Sequence, residues 1–176
     1  MFLFGTFAGG ETPGLQLIET KSFTSVSSVS FDNVFSDDYV QYKIVIDALG
    51  ASINHINMRM RASGSDNSSA NYNVQYLGTS GGTSVIAARN GSATSFEAVN
   101  YSRANSAICV LEILNPYQST YTSGFTSTAL NPQAATLGLY YRAYGMDVTT
   151  SYDGFSLLPD TSTFSGTATV LGYYKG

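Results

Sequence analysis

Charge is what this chain has least of. Only 11 % of its 176 residues are Asp, Glu, Lys or Arg, against about 25 % in an average soluble domain. Eight basic and twelve acidic side chains give a net charge of −4. The bases are scattered, whereas a nucleic-acid surface needs them clustered to displace counterions, so no nucleic acid is expected as a partner. Histidine and cysteine occur once each, as His55 and Cys109. One histidine excludes a multi-histidine metal site, and one thiol excludes both an internal disulfide and a thiolate zinc site. Tryptophan is absent, which removes the best component of a dedicated carbohydrate platform. No apolar run approaches the roughly 18 residues of a membrane-spanning helix, so no membrane contact is expected. The apolar opening Met1-Phe-Leu-Phe-Gly-Thr-Phe lacks the basic stretch of a signal peptide.

What is present points to β-structure. Apolar residues make up 43 % of the chain, enough for a core in a single domain. Ser and Thr carry the polar role, with 24 and 18 copies, beside 17 Gly and 23 Tyr plus Phe. Such a composition suits strands joined by many turns. No sustained i, i+3, i+4, i+7 apolar pattern predicts a helix. Alternating or apolar runs predict strands at 15–20, 22–31, 39–48, 54–62, 72–77, 94–101, 107–114, 121–129, 136–144, 154–158 and 167–174. A break or bulge is expected between the first two, and one short helical turn within 31–38. In 39–48 the spacing places Val40, Tyr42, Ile44 and Ile46 on one face. In 54–62, Ile56, Met58, Met60 and Ala62 face in while His55, Asn57, Arg59 and Arg61 face out. The 107–114 run is the most apolar and is expected to be central.

Clusters at 63–69, 78–82, Asn90-Gly91, Asn115-Pro116, Asn131-Pro132 and 159–162 read as turns. About ten short strands at this spacing predict an all-β fold, an antiparallel β-sandwich of jelly-roll type. The stretch 9–14 is rich in Gly and divides the chain into an N-terminal arm, 1–14, and a sandwich domain, 15–176. Phe2, Phe4 and Phe7 on that arm are candidates for burial against another subunit, since a soluble monomer avoids exposing three such rings.

Catalytic chemistry is hard to find. Ser is plentiful, but His55 on a strand face reads as a surface residue, and no nucleophile elbow precedes a helix. Asp37-Asp38 read as a solvated turn, and Glu97 and Asp47 as outward strand positions. Glu112 stands in the most apolar strand, where a carboxylate needs a partner; Arg142 or Arg103 is expected to supply it. Ser65-Asp66-Asn67 with Asn71 offers oxygen ligands, but one carboxylate is thin for calcium and an Asx-turn explains it better. No phosphate-binding loop is present. Cys109 reads as a small buried hydrophobe, and an unpaired thiol fits a reducing cytosol. No catalytic, metal-ligating or cofactor-binding residue is therefore assigned, and no cofactor is expected. The 13 tyrosines cluster, as at Tyr72/Tyr76, Tyr117/Tyr121, Tyr140/Tyr141/Tyr144 and Tyr173/Tyr174. Tyr combines apolar area with a polar tip, so Tyr72, Tyr76, Tyr117 and Tyr121 are candidate contact residues.

Four stretches carry a resemblance. They are residues 23–46, from Phe23-Thr-Ser-Val-Ser to Lys43-Ile-Val-Ile; Met58-Arg-Met-Arg-Ala-Ser-Gly-Ser-Asp-Asn67 with Asn71-Tyr72; Ile113-Leu-Asn-Pro-Tyr117; and Gly154-Phe-Ser-Leu-Leu-Pro with Phe164-Ser-Gly-Thr-Ala-Thr-Val-Leu-Gly-Tyr173. In order and spacing, over about residues 20–174, the chain resembles small virion structural proteins of tailed bacteriophages. The resemblance implies a non-enzymatic virion component assembled in the host cytoplasm. Its leading form is a capsid decoration or cement protein that binds the outer capsid and stabilises it. Its partners would be the major capsid protein or neighbouring virion proteins, and by analogy further copies of itself, for instance as a trimer. The alternative it implies is a tail component, a fibre head, tail tip or adaptor, touching a host-surface glycan.

Overall fold

A computed structural model of the chain describes residues 14–51, 54–79, 83–102, 107–133 and 136–175. Most of the expected arm, with Phe2, Phe4 and Phe7, lies outside the described residues. Thirteen strands and no helix occur among them. These are β1 (Leu15–Val26), β2 (Val29–Phe31), β3 (Tyr39–Gly50), β4 (Asn54–Ala62), β5 (Ser65–Asp66), β6 (Tyr72–Thr79) and β7 (Val85–Ala93), then β8 (Phe96–Ser102), β9 (Ala107–Leu114), β10 (Ser123–Gln133), β11 (Thr136–Met146), β12 (Gly154–Pro159) and β13 (Phe164–Tyr174).

Every strand pair is antiparallel. The larger sheet has the order β1-β13-β3-β9-β10-β11-β6-β7. The smaller runs β2-β12-β4; β4 then pairs β8 along its first half and the short β5 at its last two residues. The chain changes sheet at each of the steps β1 to β2, β2 to β3, β3 to β4, β5 to β6, β7 to β8, β8 to β9, β11 to β12 and β12 to β13. Two four-stranded arrays result, β1-β13-β3-β9 facing β2-β12-β4-β8, which is the strand order of a jelly roll. Two hairpins, β6–β7 and β10–β11, widen one array only. The most apolar strand, β9, stands fourth of eight in its sheet and is central, as its composition predicts.

Period-two alternation builds the core between the arrays. Tyr42, Ile44, Ile46 and Ala48 point inward from β3, Ile56, Met58 and Met60 from β4, and Cys109, Leu111 and Ile113 from β9. Phe31 and Phe155 stack with ring centroids 4.7 Å apart, and the Phe35 edge meets Tyr42 at 4.6 Å. Each large apolar side chain buried this way contributes about 1.5–3 kcal/mol before conformational entropy is counted.

The expected helical turn in 31–38 is a loop instead. Asn33 takes a left-handed φ of 57°, which interrupts helical geometry, while Val34 and Phe35 sink into the core. The loop's backbone bonds outward, from Phe35 N to Asp153 O and from Ser36 N to the Tyr42 hydroxyl. The break expected at residue 21 falls elsewhere: β1 runs on from Leu15 to Val26, with register shifts between Leu17 and Glu19 and between Phe23 and Val26, and the chain then changes sheet to β2. Two expected turns are not turns. Asn90-Gly91 lies inside β7, a strand the composition did not predict, and Asn131-Pro132 lies inside β10, whose register shifts between Leu130 and Gln133.

Gly154 sits where β12 passes β2, and a Cβ there would come within 2.0 Å of the Phe31 carbonyl oxygen; at Gly145 a Cβ meets nothing within 4 Å. Gly154→Ala should therefore destabilise by about 2–3 kcal/mol, an overpacking cost, while Gly145→Ala should stay within about 0.5 kcal/mol. Urea midpoints of the two variants check this, and equal midpoints would refute it. Burial also pushes the Tyr42 hydroxyl up from 10.0 to about 12, and it pushes those of Tyr72 and Tyr144 up as well. The folded state thus favours the protonated phenol. This stability is full below pH about 10 and is lost as pH rises through 12. Thermal melts should hold from pH 7 to about 9 and fall beyond it, first through the raised Cys109 thiol and above pH 10 through the phenols, with Tyr42→Phe flattening the second part of the fall.

Candidate functional site

The unequal widths of the two sheets create the most distinctive region. β10, β11, β6 and β7 project beyond β9, past the edge of the smaller sheet, whose last strand on that side is β8. Under the central strands the inward residues are Ile, Met and Phe. Beneath the projecting hairpins they become Thr126, Thr128, Tyr140, Arg142 and Tyr144, all buried. A sheet edge presents unpaired backbone groups that need partners when covered. Side chains of the projecting sheet supply them. The Tyr144 hydroxyl donates to the Glu97 carbonyl of β8 at 2.5 Å, and the Cys109 thiol to the Ala98 carbonyl at 3.0 Å. Burial pushes the Cys109 thiol up, so it remains a protonated donor.

Arg142 reaches the same edge. Its Nη2 donates to Glu97 Oε1 at 2.7 Å, and the Arg142 side chain is 1 % exposed. Its Nε and Nη1 have no hydrogen-bond partner among the described residues. Two rings cover the guanidinium, Tyr140 at 5.0 Å and Tyr76 at 5.8 Å from their centroids, a cation–π environment that partly offsets the missing bonds. The other Glu97 oxygen lies 3.5 Å from His55 Nδ1, which is also 3.6 Å from Asp160 Oδ2. Asn57 Nδ2 donates to Asp160 Oδ1. A line of polar groups thus runs from a buried arginine to the surface, around the edge of β8.

Beside this line lies a cleft of about 490 Å³ between the overhang and β8. Val74, Tyr76, Ala88 and Asn90 form one wall, and Asn57, Thr94, Ser95 and Glu97 the other. A second concavity, about 410 Å³, opens on the outer face of the larger sheet among Leu77, Ala87, Phe125 and Tyr141. Cross-strand register aligns Leu77 with Tyr141, Tyr141 with Ser127, Ser127 with Val110 and Val110 with Val45. Leu139 and Ile108 flank this row, which crosses five of the eight strands on the solvent side and is apolar except at Ser127. Tyr141 is 55 % and Ile108 60 % exposed.

The candidate contact tyrosines separate. Tyr72 is fully buried: its hydroxyl donates to Asn67 O at 2.6 Å and accepts from Met60 N at 3.0 Å. It is a core residue, and the expectation of a surface contact there is corrected. Tyr76 is half-buried against Arg142 and lines the cleft. Tyr117 and Tyr121 are exposed on the loop between β9 and β10. Glu112 does not pair with Arg142. It faces outward, with Lys43 Nζ at 3.7 Å and Gln41 Nε2 donating to it; Arg142 belongs to Glu97, and Arg103 lies outside the described residues. Glu97 is not simply outward, since Arg142 reaches it around the β8 edge. Asp66 accepts from Arg61 Nη1 and Ser156 Oγ, and Asn67 Oδ1 accepts from Ser69 N in an Asx-turn. No group of three or more His, Cys, Asp and Glu poised for a metal occurs among the described residues. No helix among them is long and apolar enough to cross a membrane.

The Arg142–Glu97 pair generates a test. Glu97→Gln leaves a buried guanidinium without its counter-ion and should cost about 3 kcal/mol. The double variant Glu97→Gln/Arg142→Met should cost less than the sum of the two single changes, by at least about 1 kcal/mol. Additive urea midpoints would show that the two side chains do not act together. Comparisons of the chain with protein-family models, with curated proteins and with solved structures find no match.

Proposed function

We propose that this protein is a non-enzymatic structural component of a bacteriophage virion, a decoration protein that lies on the outer surface of the capsid. The observation that carries this reading is the apolar row on the outer face of the larger sheet. Monomeric proteins seldom expose so many large apolar side chains together unless another molecule covers them. A flat, weakly charged sheet face suits close contact with a neighbouring subunit, because it brings little like-charge repulsion. The jelly-roll strand order supports the reading at the level of analogy, since the fold recurs in viral capsid proteins. So does the sequence resemblance over residues 20–174. The partner is the major capsid protein, with further copies of this chain beside it.

In the alternative reading the protein belongs to the tail. Its support is the exposure of Tyr117 and Tyr121 on one loop, where aromatic rings could meet a host surface. Copy number separates the two. Quantitative mass spectrometry of purified virions should find this protein in a simple ratio to the major capsid protein. A ratio far below that moves it to the tail, and its absence from virions refutes both readings. The double variant Phe125→Asp/Tyr141→Ser should fold normally, because both side chains are exposed. Each removes an apolar contact worth about 1.5–3 kcal/mol when covered. Incorporation into particles should therefore fall at least about tenfold. Unchanged incorporation would remove the outer face from the argument.

A further inference from the structure

We infer that the cleft between the overhanging hairpins and β8 is a binding site for a neutral carbohydrate, taken as one or two sugar rings. This goes beyond attachment to a virion and holds for either placement of the protein.

Four observations carry it. The cleft volume, about 490 Å³, falls within the range of ligand pockets, about 300–1,000 Å³. Its lining mixes both kinds of hydrogen-bonding group: the Asn57 and Asn90 amides, the Thr94 and Ser95 hydroxyls and the Glu97 carboxylate, while Arg89, opposite Gln75 in the register, shares the outer face. A sugar presents donors and acceptors around a ring and needs such a mixture, whereas an apolar ligand would leave these groups unpaired. Tyr76 and Val74 supply apolar surface for the C–H faces that a pyranose also carries. The electrostatics favour a neutral ligand. Glu97 is the one acid in the lining, and its charge is already opposed by Arg142 at 2.7 Å.

The site is also held in place. Arg142 anchors Glu97 Oε1 from the protein interior, and the Tyr144 hydroxyl fixes the Glu97 backbone at 2.5 Å. A carboxylate positioned in advance loses little freedom on accepting a sugar hydroxyl. Its neighbours on the opposite wall, Ala88 and Asn90, belong to an exposed edge strand paired only with β6. That wall can therefore be altered without disturbing the core.

The test uses the isotope-labelled full chain titrated with a panel of neutral mono- and disaccharides of glucose, galactose, mannose and N-acetylglucosamine, followed by amide chemical-shift perturbation. At least one sugar should shift the amides of Ala88, Asn90, Thr94 and Ser95 saturably. Ala88→Trp, which places an indole in the cleft, should weaken that sugar at least tenfold with the rest of the spectrum unmoved. Asn90→Ala, a change that adds no bulk, should weaken it less but in the same direction. The inference is overturned if no sugar in the panel shifts the cleft amides. It is also overturned if the shifts fall instead on the loop carrying Tyr117 and Tyr121, or if Ala88→Trp leaves the affinity unchanged. None of these outcomes depends on virion copy number, so the site and the proposed function stand or fall separately.

Discussion

A sheet that is wider than the sheet it covers must close its core at the side, and this constraint organises the molecule. The jelly-roll arrays are matched four on four, and there the interior is filled with apolar side chains, chiefly Ile, Leu, Met and Phe. Beyond β9 the two added hairpins lie over the β8 edge and, at Tyr72, over the end of β4. An apolar interior continued to that boundary would lie open to water, and the unpaired groups of β8 would be covered without partners. The chain answers with polar side chains long enough to reach the edge. Tyr144 and Cys109 take up β8 carbonyls, and Arg142 passes around it to Glu97. The cleft is the space left where the overhang extends further than these side chains do.

Much of this was legible in the sequence, for a reason that also explains what was not. Alternation reports which residues share a face, and it placed Ile44, Ile46, Ile56, Met58 and Met60 inside. It does not report which sheet a strand joins. Glu112 shows the consequence. Its parity with Ile108 and Val110 was readable, but those residues look apolar enough for a core, and only the fold reveals that they face out. The carboxylate then needs no buried arginine, because Lys43 stands beside it on the same outer face. Arg142 and Glu97 are 45 residues apart and meet only because β11 projects past the smaller sheet. No local signal announces such a contact. An arginine at an inward position of a strand, between Tyr140 and Tyr144, was the one available cue.

β7 escaped detection for a different reason. Its residues are nearly all exposed, so selection for a buried face has left no alternation to read. Asn90-Gly91, ordinarily a hairpin signal, lies where the register against β6 shifts between Tyr72 and Val74. Ser92 takes a left-handed φ of 66° beside it. The same local chemistry that makes a tight turn can make a bulge, and the distinction rests on whether a partner strand continues. Tyr72 and Tyr76 illustrate the limit again. They share a strand and a face, yet one is sealed in the core and the other meets the cleft, since the covering sheet ends between them.

The two long edges of the larger sheet differ from its outer face in how they treat association. β1 is interrupted by register shifts between Leu17 and Glu19 and between Phe23 and Val26, and it carries Glu19 paired with Lys21 at 3.3 Å. β7 carries its own irregularity and Arg89. Bulges and charges of this kind discourage another strand from adding to an edge. The outer face is less protected: Lys43 and Glu112 neutralise each other and Asp47 stands opposite Ile108, while Tyr141, Phe125, Leu77 and Leu139 are left uncovered. Edges blunted and a face left open favour contact through side chains, with area and shape deciding the partner, over contact through backbone hydrogen bonds. Such a contact can be repeated many times between neighbours without the chain polymerising on itself, which is the physical requirement a surface component of an assembled particle has to meet.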